Sequence, residues 1–294
     1  MINRRGTYYL SRIIKIGEHL THDLLIEAIN NSSEVIHGKY KWSITDVEDK
    51  SNITNPYIFG NLSKYHEQGE VKLIDEVGKK QVNAVADDLL KASTPFVYLP
   101  DYSGIAYMHV WNDIDVETFP NRFEQIIKSY FDDFFVDCKL DPVSDLRSFL
   151  QRLESLEKIT EINAKVHPTN PLFGRLWSDL DKYVKGRNAD QVEINEKSNS
   201  GLNTRIKEFI REILKSNSWQ PAKDADLADA AILMAADGYG VGKAIGIESG
   251  EEVQVETSKS RKTFLFSKTP NPEQLANKAR KIFAQVSKER DMKH

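Results

Sequence analysis

The chain of 294 residues is 40% hydrophobic, 29% charged and 10% aromatic, enough apolar material for one large or two ordinary cored domains. Its longest uncharged apolar runs, such as Ala230 to Ala236, fall far short of the roughly 20 residues of a membrane span. Arg12 and Lys15 interrupt any signal-like stretch near the N-terminus, so a cytoplasmic protein without membrane insertion is expected. The single cysteine, Cys138, excludes an internal disulfide and a cysteine-based zinc site.

In chain order, the β-branched and aromatic run 7–16 predicts a strand, 21–30 a short amphipathic helix, and 39–46 a second strand. A polar stretch, 47–55, leads to apolar segments at 57–60 and 71–77. Phe96 to Leu99, a turn at 100–104 and Ile105 to Trp111 form the clearest hairpin. A helix at 121–132 and a strand at 134–140 follow. Beyond them come a helix at 144–157, a strand at 158–166, the rigid break His167-Pro168-Thr169-Asn170-Pro171 and a helix at 172–183. The sequence then predicts a strand at 191–195, helices at 204–216 and 224–237, a strand pair at 252–257 and 262–267, and a basic helix over 273–288. Strands and helices mix without βαβ alternation, which predicts an α+β fold of mainly antiparallel sheets packed with helices. The chain reads as one α+β unit, divisible into a subdomain of about 1–140 plus 216–294 and another of about 141–215.

The net charge of −4, which taken alone argues against a nucleic-acid partner, hides a segregation. Residues 1–15 carry +4 and residues 259–294 carry +7, which leaves −15 on the middle. If the termini meet in the fold, they present one basic surface on an acidic body, the footprint of a phosphate-backbone binder. The competing reading is that basic ends merely solvate the chain. The expected contact residues are Arg4, Arg5, Arg12, Lys259, Arg261, Lys262, Lys278 and Lys281. Lys259, Arg261, Lys262 and Lys268 surround the apolar Phe264-Leu265-Phe266, while Lys278, Arg280, Lys281 and Lys288 recur at helical spacing.

Other chemistry is weighed against this. The glycine run Gly238 to Gly246 with Lys243 follows a helix and has Ala244 where a phosphate loop needs Ser or Thr, so it reads as a helix cap and turn. Asp101 with Asp137 and Lys139 could form a metal-dependent nuclease site, two acids holding a divalent ion and a lysine steadying the attacked phosphate. Glu193, Glu196 and Lys197 give a weaker version. His19 and His22 share a helix face but lack further zinc ligands, so no metal and no cofactor are expected.

The hairpin 96–111, the strands 134–141 and 158–166, the segment Pro171-Leu172-Phe173-Gly174-Arg175-Leu176, the strand Asn188 to Ile194 and the helix 204–214 occur in an order that resembles the RexA-like phage-exclusion proteins, over roughly residues 90–245. That resemblance implies a homodimeric, non-enzymatic α+β protein that binds duplex DNA with little sequence preference and acts in anti-phage defence, often with a second defence-system protein. It transfers no catalytic residue. Alternatives from other classes are the nuclease above and a protein-interaction component that uses the acidic middle.

Overall fold

A computed structural model describes residues 4–16, 20–75, 77–132, 136–169, 173–215, 225–290 and 292–293. The elements in chain order are β1 (Arg5–Ile16), α1 (His22–Asn30), β2 (Val35–His37), β3 (Tyr40–Lys50), β4 (Tyr57–Asp75), β5 (Lys80–Leu99), β6 (Gly104–Met108), α2 (Thr118–Tyr130) and β7 (Asp137–Pro142). They continue with α3 (Leu146–Glu154), β8 (Lys158–Val166), β9 (Phe173–Gly174), α4 (Ser178–Gly186), β10 (Val192–Lys197), α5 (Ile206–Lys215), α6 (Leu227–Ala236), β11 (Gly240–Glu248), β12 (Glu251–Glu256), β13 (Thr263–Ser267), α7 (Pro272–Glu289) and β14 (Met292–Lys293). The fold is α+β, with antiparallel sheets packed against helices.

The larger sheet runs β13-β1-β6-β5-β4-β3-β2, and β7 shares with β13 one edge of β1. β13 flanks residues 5–9 of β1 and β7 flanks residues 11–16. The smaller sheet runs β10-β8-β11-β12. β12 therefore pairs with β11, and β13 with β1, so the expected hairpin between 252–257 and 262–267 does not form. The division at 141–215 shifts for the same reason: α6, β11 and β12 belong with β8, and Ile232, Ala235 and Ala244 sit in one core with Ile162 and Ala164.

The pleat of β1 explains how three cores meet. Tyr8 and Leu10 face a core built with Phe283 and Val286 of α7, whereas Ile13, on the opposite face, joins Phe119, Phe123 and Ile127 of α2. Ile14, in phase with Tyr8 and Leu10 but farther along, enters the core of the smaller sheet. Between Leu10 and Ile14 lies Arg12.

Local chemistry sets the helix starts. Thr21 accepts from Leu24 N–H (3.2 Å), Asp145 from Arg147 and Ser148 N–H (3.1 Å each), and Asn271 from Gln274 N–H (3.0 Å) with Pro272 at the first helical position. The glycine run is strand rather than loop. Gly238 turns the chain after α6 with φ of 88°, and a Cβ on Gly240 (φ 148°) would meet the Lys165 carbonyl oxygen at 2.1 Å, so only glycine lets β11 approach β8.

β4 and β5 are far longer than the sequence suggests, at 19 and 20 residues, and absorb the polar stretch between the two apolar segments. β3 accompanies β4 only as far as Tyr65, and β6 begins to pair with β5 at Phe96. From residue 66 to residue 91 the hairpin is a two-stranded arm, about 33 Å long at the usual rise for ten residues.

Candidate nucleic-acid interface

The fold does bring the two chain ends together. Arg5 pairs with Ser267 in the β1–β13 ladder, and the Arg4 carbonyl accepts from Lys268 N–H at 2.9 Å. α7 then turns back beneath β13, burying Leu275, Ala276, Ala279, Phe283 and Val286. Between β13 and the first turns of α7 lies a cleft of about 630 Å³, whose walls include Arg5, Ser267, Thr269, Asn271, Gln274 and Lys278. Hydroxyl and amide groups here stand beside two cations at the N-terminal end of an 18-residue helix. Helix N-termini and such donors favour an anion.

Lys278, Lys281 and Lys288 follow one another along the solvent side of α7, with the first and last about 15 Å apart at the helical rise. Among the described residues no ion pair engages Arg4, Arg5, Lys268, Lys278, Lys281 or Lys288; the acidic residues of α7 are Glu273 in its first turn and Glu289 beside Lys288. Lys259 is also exposed but lies beyond the opposite end of β13, so it does not join the cleft.

Three expected contact residues have other tasks. Arg12 is fully buried, its guanidinium donating to the Tyr102 (2.5 Å) and Asp237 (3.3 Å) carbonyls and lying over the rings of Tyr239 and Phe283 at 5.4 and 5.3 Å. It fills the place where the α7 core meets that of the smaller sheet, out of reach of a phosphate. Arg261 donates to the Ser258 and Val116 carbonyls, both at 2.8 Å, and pairs with Glu117. Lys262 pairs at 2.8 Å with Asp145, the residue that caps α3. Both residues clamp elements together, so reversing their charge would test folding rather than DNA contact.

The nuclease set is not assembled. Asp101 sits in the single turn after β5 and pairs with Arg280 at 2.8 Å; the neighbouring Ser103 lines the β6 side of β1 through its carbonyl, which accepts from Ile13 N–H. Asp137 and Lys139 are on β7, along the other edge of β1. Among the described residues no group of three or more His, Cys, Asp or Glu side chains is arranged to hold a metal ion. His22 instead hydrogen-bonds the Tyr98 hydroxyl (3.0 Å), and His19 lies outside the described residues.

The sequence reading passed over two carboxyl groups. Asp141, on β7, is buried, and its Oδ2 has no hydrogen-bond partner; burial raises its pKa to about 7 against the pull of Lys139 and Lys165. Burial likewise raises Glu124 of α2 to about 7, where it accepts from Leu140 N–H at 2.7 Å and feels Asp141 and Asp137. Both line a cleft of about 230 Å³ with Ser11, Tyr107 and Arg261. The signal was the in-phase triplet Asp137, Lys139, Asp141 on one face of β7.

No helix of the described residues is long and apolar enough to cross a membrane. No curated protein matches the chain. Residues 19–285 match the model of the Domain of unknown function (DUF4747), and with most of its length covered the chain belongs to that family.

Proposed function

We propose that the protein binds duplex DNA through its phosphates, with little sequence preference, in the cytoplasm. The observation that supports this reading is the cleft walled by Arg5 and Lys278 where the two basic segments meet, with Arg4 and Lys268 joined by a backbone hydrogen bond next to it in the chain, Lys281 following along α7, and, among the described residues, no carboxylate paired to any of them. Phosphate contact needs cations that have not already been neutralised, and their placement at a helix N-terminus adds a favourable field. The acidic remainder of the chain repels DNA elsewhere and so orients the duplex towards this face. A role in phage exclusion, implied by the resemblance to RexA-like proteins, rests on the same DNA contact.

The test is fluorescence anisotropy of a labelled duplex over a series of salt concentrations. Each phosphate neutralised contributes about −0.9 to the slope of log K against log salt. The double variant Arg5→Glu/Lys278→Glu is expected to bind at least about tenfold more weakly at low salt and to flatten the slope by roughly two. An unchanged slope and affinity would remove this cleft from the interface. Binding that persists in shuffled sequences supports the non-specific mode, and Mg²⁺-dependent cleavage would overturn the non-enzymatic one.

A further inference from the structure

Among the described residues, no strand pairs with the outer edge of β5 from Lys80 to Lys91. Register pairs place Gly69 with Ala86, Val71 with Ala84 and Leu73 with Val82 on one face, a ladder of small and apolar residues. Leu73 is 51% exposed, Val82 43% and, on the other face, Val85 68%. A two-stranded ribbon with both faces in water is marginally stable, and its strand edges are templates for further pairing. Exposed Lys and Asp residues protect such an edge from indiscriminate pairing, and their spacing can specify one partner.

We propose that the free edge of β5 pairs antiparallel with the same edge of a second copy of this chain, about a two-fold axis through Ala84. In that register Val82 stands opposite Ala86 of the other copy, Ala84 opposite Ala84, and Lys80 opposite Asp88. The apolar ladder then runs unbroken across four strands, closed at each end by one Lys80–Asp88 pair. Asp88, with φ of 49°, interrupts the regular backbone within β5, which limits the proposed pairing to residues 80–88. Charge and strand extent together select this register over its neighbours. Centring on Val85 sets Lys79 against Lys91 and Val82 against Asp88; centring on Asn83 moves Lys80 to face Ala86 and gives Asp87 only Lys79, which lies in the turn outside β5. An isologous contact of this kind is closed, so it gives a dimer rather than a fibre. The inference is independent of the DNA-binding reading, because the arm and the basic cleft share no residue.

Cysteine substitution in the arm tests it directly, since the chain's one cysteine, Cys138, is buried. Residues opposite one another in an antiparallel pair are about 4.5–5.5 Å apart at Cα, within disulfide range. Ala84→Cys should therefore give a covalent dimer on mild oxidation, whereas Asn83→Cys, opposite Val85, should remain a monomer on a non-reducing gel. Lys80→Asp should weaken self-association at least about tenfold, measured by sedimentation equilibrium, since it turns two attractions into two repulsions. Adding Asp88→Lys to Lys80→Asp should restore the dimer. That rescue separates a lost contact from a misfolded arm. A monomeric wild-type protein at tens of micromolar, cross-linking equal at positions 83 and 84, or a double variant no better than the single one would each overturn the proposal.

Discussion

Replacing Asp237 with alanine is expected to cost about 3–5 kcal/mol of folding stability, the range measured when one partner of a buried ion pair is removed. Asp237 ends α6 and is buried; its Oδ1 accepts from Arg290 at 2.6 Å and its Oδ2 from the Trp177 indole at 2.7 Å. Its carbonyl also accepts from Arg12. Arg290, at the end of α7, reaches the Ala236 (3.0 Å) and Ser144 (2.5 Å) carbonyls as well. Through its carboxylate and its carbonyl, Asp237 thus ties α7, the turn before α4 and β1 to α6. Without the carboxylate, the buried Arg290 loses its ion-pair partner in low dielectric, and the indole N–H loses its acceptor. Asp237→Asn preserves the shape but lowers the charge, and sets an amide N–H against either the indole or the guanidinium donors, so it too should destabilise, by less. Urea titration is the measurement: the midpoint should fall with the slope unchanged. A midpoint shift below about 1 kcal/mol equivalent would show that water reaches the knot.

This knot also shows how far the sequence could be read. Tyr8, Leu10, Arg12 and Ile14 are in phase on β1, so strict alternation already placed Arg12 among inward-facing residues. Its positive charge and terminal position suggested a surface role instead, and it is the distant carbonyls of Tyr102 and Asp237 and the rings of Tyr239 and Phe283 that accept it in the interior. β8 was legible to the residue because it is a regular apolar strand with a Pro-bounded end, and α7 because Asn271 and Pro272 announce it. The partner of β13 was not legible, since pairing between adjacent segments is the natural expectation and β1 lies more than 250 residues away. The arm was missed for a different reason. Beyond its base most of its side chains are exposed, so its sequence carries no core periodicity, and polar residues in β4 look like a loop. In the candidate site, the two basic ends were legible from charge, but that they meet depends on the distant β1–β13 pairing, and which cations remain unpaired depends on acids as distant as Glu117 and Asp145.

Raising the pH from 5 to 8 should destabilise the protein through Asp141 and Glu124, in the direction opposite to that of most carboxyl groups. Both hold their protons to about pH 7 in the folded chain, against about 4 for free Asp and Glu side chains. The folded state binds more protons than the unfolded state between those values, so their contribution to stability is fully present below about pH 4 and is lost as the pH rises through 7. The loss should be on the order of 2–4 kcal/mol, with Glu124 discounted because it is only half-buried. His22 and His167 act in the opposite sense, since burial lowers both pKa values and favours the folded state as the pH rises through the ordinary histidine range. The comparison with Asp141→Asn therefore isolates the carboxyl group, because the histidines are common to both proteins. The amide mimics the protonated acid that burial already enforces, so the variant should match wild type at about pH 4 and below and exceed it by a growing margin up to pH 8. Urea midpoints at four pH values measure the difference, and parallel curves for the two proteins would show that Asp141 is ionised in the folded state at neutral pH.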